Sequence, residues 1–469
     1  MGYFLPATER SPMINEILEK QRRFFSSGAT RDVQFRIQQL QLLSQAIKQH
    51  ETEILQALKA DLHKPAFEGF TSEILMVLEE IEYALKHLKS WVRPQKVAAS
   101  WTQLPATSYI YPEPLGVVLI IGPWNYPLQL TLSPLVNAIA AGNCAIVKPS
   151  EIAPHASQSI AAIISKHFHP GFISVVEGGI ETSQSLLAEK FDRIFFTGSA
   201  AIGRLVLAAA AQHLTPVTLE LGGKSPCLVD LDCDLKLAAK RITWGKFINA
   251  GQTCIAPDYL LIPHAIKSEL LKHIGEAVRE FYGDDPQTSP DYARIVNDKQ
   301  FARLTTLIDD CKATSEIIFG GTSDPAQRYI APTVIDRVSP RSKIMADEIF
   351  GPLLPVLEYE DLDEAIALIN SQPKPLAFYF FSNNRDNQER VLREISFGGG
   401  CINDTISHII YPALPFGGVG NSGMGQYHGK AGFDTFSHYK SVIKKSRFFD
   451  LPLRYPPYKD KINLVKQFL

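Results

Sequence analysis

The chain has 469 residues, 45% hydrophobic and 20% charged, with a formal net charge of -2. Its length exceeds one compact core and predicts two or three domains, and its near-neutral charge excludes an electrostatic footprint for nucleic acid. The six cysteines form no CxxC pair and no Cys/His ligand spacing, which argues against a disulfide framework or metal site and for a reducing, cytoplasmic setting.

The N-terminus, MGYFLPATERSP, lacks the basic segment and apolar run of a secretory signal, and Pro6 stands where a myristoylation signal needs Ser or Thr. From 11 to 92, apolar residues at three-to-four spacing predict a helical layer, with Thr30 as N-cap of the segment starting RDVQF. From about 113 the texture changes. LGVVLIIG, CAIVKPS, FISVVEG, RIFFTGS and PVTLELGG read as strands buried on both faces, with helices between them. This alternation predicts a parallel, doubly wound α/β domain. After 221 a second α/β alternation begins. The helix LAAKRITWGKFINAG leads into a cysteine loop, and DYLLIPHAIKSELLKHIGEAVREFYG gives a strand and a long helix. EIIFGG, YIAPTVID, PLLPVLEYE, LAFYFFSNN and GGGCINDT read as strands and DLDEAIALINSQ as a helix. No apolar run reaches the ~18 residues of a membrane span. The tail SRFFDLPLRYPPYKDKINLVKQFL mixes aromatic and basic residues. It reads either as a weak peripheral membrane contact or as a segment packed on its own protein or a partner subunit.

The cysteine loop, FINAGQTCIAPD, presents Cys254 after a turn at Gly251. Cysteine is intrinsically nucleophilic, but a nucleophile also needs an oxyanion donor, a base and an acceptor for what leaves. GPWNYP offers Asn125 between Trp124 and Tyr126, and its flanking prolines restrict the turn. A rigid amide donor there suits an oxyanion. LELGGKSP sets Glu220 at a strand end before Leu221, Gly222 and Gly223, as a candidate general base. RIFFTGSAAIGRLV ends a strand at Thr197 and opens a helix through Gly198, Ser199 and Gly203. Free N–H groups at such a terminus suit a pyrophosphate, although G-S-x-x-x-G is not the dinucleotide fingerprint. CAIVKPSE sets Lys148, Ser150 and Glu151 past another strand end, where a lysine and a carboxylate suit ribose hydroxyls. DEIFGPLLPV adds Glu348 for a second ribose and Phe350 to buttress a flat ring. Taken singly, Cys254 reads equally as a core thiol, and each other motif as an ordinary turn, loop or strand end.

Together, PWNYP, KPSE, FTGS, LELGGKSP, GQTC and EIFGP span nearly the whole chain and resemble the NAD(P)-dependent aldehyde dehydrogenase superfamily. LPFGGVGNSGMGQYHGKAGFDTFSHYKSV and WGKFINAGQTCIAPDY are similar to its class 3 branch, which includes fatty aldehyde dehydrogenases. The resemblance implies a Rossmann-like parallel-sheet cofactor domain over 1–93 and 113–220 and an α/β catalytic domain over 221–412. It assigns 94–112 and 413–469 to a small β-arm for oligomerisation and a C-terminal tail. It implies oxidation of apolar aldehydes, aliphatic or aromatic, to carboxylic acids. NAD is the implied cofactor, NADP an alternative, and a homodimer the implied assembly.

In that reading Cys254 carries a thiohemiacetal and then a thioester, Asn125 and the Cys254 N–H hold the oxyanion, and Glu220 activates water. Glu220 also favours a free acid over a thioester product. Glu348, Phe350, Trp124, Leu221 and Gly222 lie along the cofactor. Lys148, Ser150, Glu151, Gly198, Ser199 and Gly203 take its adenosine and pyrophosphate part. His428 in GQYHGKAG reads as structural. One departure is Ala200, where relatives often carry a polar residue.

Overall fold

The computed structural model describes residues 11–98, 105–450, 452–459 and 461–466. The expectations for residues 1–10, and those parts of the arm and tail at 99–104, 451, 460 and 467–469, lie outside the described residues. The predicted helical layer is present as Pro12–Ser26, Val33–Gln49, Glu51–Leu62 and Leu75–Trp91. Thr30 is not the N-cap. It is buried in a single 3-10 turn, and Asp32 caps the helix Val33–Gln49 by accepting from the Gln34 N–H at 3.0 Å. The carboxylate two residues closer to the apolar run reaches an orphan N–H and sets the start of the helix.

A six-stranded sheet runs in the order Gly423–Met424, Val217–Glu220, Arg193–Thr197, Val117–Ile121, Cys144–Lys148, Ile173–Val175. All neighbours are parallel except Gly423–Met424, which adds an antiparallel edge. Val117–Ile121 and Cys144–Lys148 are buried at every residue, because helices cover both faces and leave no solvent side to alternate toward. The chain runs outward from Val117–Ile121 in one direction, then returns to build the other half from Arg193–Thr197. The reversal leaves a crevice beyond the carboxyl ends of these two strands, and GPWNYP and TGS both stand there.

A seven-stranded sheet follows, in the order Glu316–Phe319, Thr333–Asp336, Leu353–Tyr359, Tyr259–Pro263, Pro226–Val229, Ala377–Phe381, Gly399–Ile402. Only Glu316–Phe319 is antiparallel. Glu220 ends a strand of the first sheet and Pro226 begins one of the second. LGGKS is therefore the crossing between sheets, and the carboxyl ends of one sheet face the amino ends of the other. A three-stranded antiparallel arm pairs Ala106–Pro114 with Gln95–Val97 on one side and Ser437–Lys445 on the other.

The helix Asp298–Thr314 has no counterpart in the sequence reading. Its signal was available: Asn297 accepts from the Gln300 N–H as N-cap, and Leu304, Ile308 and Cys311 bury one face. Among the described residues no helix is long and apolar enough to cross a membrane.

Candidate active site

Trp124, Asn125, Glu220, Cys254, Glu348 and Phe350 line one cavity of about 500 Å³ at the crevice between the two large sheets. A larger groove, about 900 Å³, lies across the seven-stranded sheet between the helix His264–Tyr282 and the edge strand Glu316–Phe319. It contains none of the predicted site residues, and its central lysine, Lys267, is already paired with Asp336 and Glu358.

The cysteine loop is bent sharply before the thiol. Asn249 and Ala250 both hold left-handed backbone at φ 52°, and Gly251 follows at φ 73°. A Cβ on Gly251 would lie 2.3 Å from the Gly351 carbonyl oxygen. Only glycine allows that approach, which sets the cysteine loop against the loop carrying Glu348 and Phe350. Burial pushes the Cys254 thiol well up, and the Glu348 and Glu220 carboxyls add to the effect.

Asn125 is fixed from both ends. Its side-chain N–H donates to the Gln252 carbonyl at 3.1 Å, and its own carbonyl accepts from Asn249 Nδ2 at 2.9 Å and Lys64 Nζ at 3.1 Å. The next residue, Tyr126, bonds Thr253 Oγ1 through its hydroxyl at 2.7 Å. Two adjacent residues of the proline-bracketed turn thus hold the two residues preceding the thiol. One N–H of the Asn125 amide is committed, and the second is free to serve the cavity.

Glu220 is 2% exposed, and neither carboxyl oxygen has a hydrogen-bond partner. Burial raises its pKa well above the carboxylate range. The Glu348 carboxyl is pushed up to about 8, first by burial and then by Asp258; the Gly223 N–H opposes the shift. Gly222 passes so close to Glu348 that a Cβ there would lie 2.0 Å from Oε2. Lys224, four residues past Glu220, donates to Asp258 at 2.5 Å and to the carbonyls of Ile344 and Asp347. Asp258, four past Cys254, accepts from the Ile349 N–H at 2.9 Å. This pair binds the three site stretches to one another. Phe350 holds φ 49° and meets Trp124 edge to face at 5.3 Å.

On the first sheet, Gly198, Ser199, Leu221 and Gly222 reach the same cavity. Ser199 caps the helix Ala200–Ala211 by accepting from the Ile202 N–H. Gly203 is buried within that helix against Leu221. Lys148 and Ser150 are buried at the end of the strand Cys144–Lys148, and Lys148 Nζ donates to Glu151 at 2.6 Å. These three residues do not line the 500 Å³ cavity. His428 is buried with both ring nitrogens unpartnered, and burial pushes it down to about 3. Its contacts are the rings of Phe416 and Tyr427.

Gln300, Arg303 and Thr306 also line the cavity, as do Lys343 and Asp347. The first three sit at three-residue spacing on the helix Asp298–Thr314. Arg303 anchors the Glu348 loop by donating to the Ile349 carbonyl at 2.7 Å. Thr197 Oγ1 and Glu348 Oε1 are buried polar atoms without partners on the cavity wall. An unmet acceptor and hydroxyl beside a helix N-terminus, at a sheet's switch point, fit a dinucleotide.

A sequence model of the Aldehyde dehydrogenase family matches residues 7–442. The chain belongs to the aldehyde dehydrogenase family. It is 50% identical to the 4,4'-diaponeurosporen-aldehyde dehydrogenase of Staphylococcus aureus, over 95% of this chain and 97% of the relative. It is 47% identical to the "Aldehyde dehydrogenase, dimeric NADP-preferring" of Canis lupus familiaris, over 95% of this chain and 98% of the relative. A solved structure, "Substrate bound state of Staphylococcus Aureus AldH", superimposes with a TM-score of 0.95 at 49% identity, covering 98% of this chain and 100% of the other. As an aldehyde dehydrogenase the protein oxidises aldehydes to carboxylic acids and reduces NAD(P). Among the described residues, no group of three His, Cys, Asp or Glu side chains is placed to hold a metal ion.

Proposed function

We propose that this aldehyde dehydrogenase acts on apolar aldehydes, with Cys254 as nucleophile, Asn125 as oxyanion donor and Glu220 as base. The observation that carries the reading is the convergence of these three groups on one cavity. A free aldehyde is a poor hydride donor. Cys254 first loses its proton to solvent by way of Glu220; attack of the thiolate on the carbonyl carbon then makes a tetrahedral thiohemiacetal whose oxygen carries the negative charge. The free Asn125 N–H and the Cys254 backbone N–H meet that charge, which drives hydride from the carbon. Glu348 and Phe350 would hold the nicotinamide end of NAD(P) beside Cys254, and that group would supply the hydride acceptor when bound. The remaining thioester on Cys254 is cut by water. Glu220, with no partner of its own, takes the proton from that water, and acid leaves as the sulfur is freed.

Gly198, Ser199, Gly203, Leu221, Gly222 and Trp124 would hold the pyrophosphate and middle of the dinucleotide, and Glu348 with Phe350 its nicotinamide end. Lys148, Ser150 and Glu151 would hold the adenosine ribose. Glu151 repels a 2'-phosphate and Lys148 attracts one, so NAD is the favoured cofactor and NADP a second. Leu130, Leu221, Trp124 and Phe350 give the otherwise polar cavity an apolar stretch of wall, and the Staphylococcus aureus relative is named for diaponeurosporen-aldehyde. In the same reading the six-stranded sheet serves the cofactor, the seven-stranded sheet catalysis, and the three-stranded arm assembly of a cytoplasmic homodimer. The deciding experiment is cofactor reduction, followed by absorbance, over short to very long apolar aldehydes with both dinucleotides. Faster turnover of long apolar aldehydes, with NAD ahead of NADP, is expected. Acid formation without cofactor reduction overturns the reading.

A further inference from the structure

Lys64 stands far from the cavity in sequence, in the turn after the helix Glu51–Leu62. It is 1% exposed, and its partner Glu73 is fully buried. Lys64 Nζ donates to Glu73 Oε1 at 2.5 Å and to the Asn125 carbonyl at 3.1 Å, and lies 4.1 Å from the centre of the Tyr126 ring. The second Glu73 oxygen accepts from the N–H groups of Leu128 and Gln129, at 2.8 and 3.2 Å. The ion pair therefore grips the turn at both ends: the cation takes the carbonyl of residue 125, and the anion the N–H groups that open the helix Gln129–Ala141.

A second grip comes from the cysteine loop. Asn249 Nδ2 bridges the carbonyls of Asn125 and Gln252, at 2.9 and 3.2 Å. The Asn249 N–H is itself held by Glu68 Oε1 at 2.9 Å, and Glu68 and Glu73 lie on one short helical stretch. Gln252 is locked in turn, its amide donating to the Asn249 and Arg294 carbonyls and accepting from the Val296 N–H. The Asn125 carbonyl thus receives two donors and its amide gives one N–H, so the direction of the last N–H is decided by partners outside the cavity.

We propose that Lys64, held by Glu73, is a positioning residue that aims the Asn125 amide at the substrate oxygen and keeps its turn in register with the Cys254 loop. This rests on the assignment of Asn125 as oxyanion donor. Burying a charge pair is costly, and a well-packed apolar pair of similar volume often serves stability as well. What an apolar pair cannot supply is the donor on the Asn125 carbonyl and the acceptor for two helix N–H groups. A donor displaced by about 1 Å loses roughly a hundredfold in rate.

The test uses the full-length protein, with Lys64→Met/Glu73→Leu to keep the site filled and Glu73→Gln as a milder, shape-conserving variant. Each is made alone and combined with Asn125→Ala, and folding is confirmed by circular dichroism. The readout is the single-turnover rate of cofactor reduction with an aldehyde and its C1-deuterated form. Loss of about tenfold to a hundredfold is expected in the natural background, with an enlarged deuterium isotope effect and little change in KM. In the Asn125→Ala background the same variants should cost little more. Natural rates in both variants would make the pair structural only. An equal loss in both backgrounds would show that Lys64 acts independently of Asn125. Either result overturns the inference while leaving the Asn125 assignment intact. A natural rate in Asn125→Ala alone would overturn that assignment and the inference with it.

Discussion

At the scale of the residue, burial works against charge on both reacting groups. Glu220 and Cys254 are both pushed up by burial, which disfavours the carboxylate and the thiolate alike. The sign of the pH dependence follows. A raised carboxyl pKa means that the ionised base grows as pH rises, so thioester hydrolysis should accelerate with pH. Glu220→Gln should abolish that rise and slow steady-state turnover by about a hundredfold or more, while a first-turnover burst of reduced cofactor survives. Rapid-mixing absorbance across pH checks both. Cys254→Ala should lose aldehyde oxidation entirely while staying folded, and retained oxidation would remove the nucleophile from the scheme. Asn125→Ala should cost about a hundredfold to a thousandfold in kcat, measured in steady state.

At the scale of the element, function sits where strands and helices end. The helix Pro154–His167 follows the Lys148–Glu151 loop and has no cap from its own Ala153. Asp61, from the helix Glu51–Leu62, caps it across space, accepting from the N–H groups of Ala156 and His155 at 2.9 and 3.3 Å. Asp61→Ala should therefore destabilise the protein by about 1–2 kcal/mol, read as a lower thermal midpoint. In the proposed binding mode, Glu151→Thr removes the charge that would face a 2'-phosphate but leaves Lys148 in place. It should lower KM for NADP with little effect on NAD, measured by titrating each dinucleotide. The capping of one helix by a residue some ninety positions earlier was invisible in the chain order. The capping of Val33–Gln49 by Asp32 was local, and the correct choice over Thr30 turned on which oxygen reached the Gln34 N–H.

At the scale of the whole molecule, the arm presents Ser437–Lys445 as an edge strand, unpaired on its outer side among the described residues, and Gly399–Ile402 closes the seven-stranded sheet as another edge. Free edges seek partners, which supports assembly through the arm. If the proposed dimer assembles through this edge, Val442→Pro should break it and shift the mass in light scattering from dimer to monomer. Past the arm, Phe448 is 92% exposed and Ile462 60%, beside Arg447 and Lys461. Co-sedimentation with anionic vesicles, compared with a Phe448→Ser/Phe449→Ser variant, separates a membrane contact from packing on a partner subunit. The sequence by itself determined the alternating α/β plan, because burial on both faces writes strands as continuous apolar runs. It also singled out Cys254, Glu220, Asn125 and Glu348 as candidates, because their motifs occur together beside glycine and proline turns. Only the tertiary structure decided that Arg303 anchors the Glu348 loop, that Lys224 and Asp258 tie three stretches together, and that Lys64 and Glu73 grip the Asn125 turn. Those contacts join residues from 9 to 123 positions apart, and a buried charge or a carbonyl with two donors has meaning only once the chain has brought its partners within hydrogen-bonding distance.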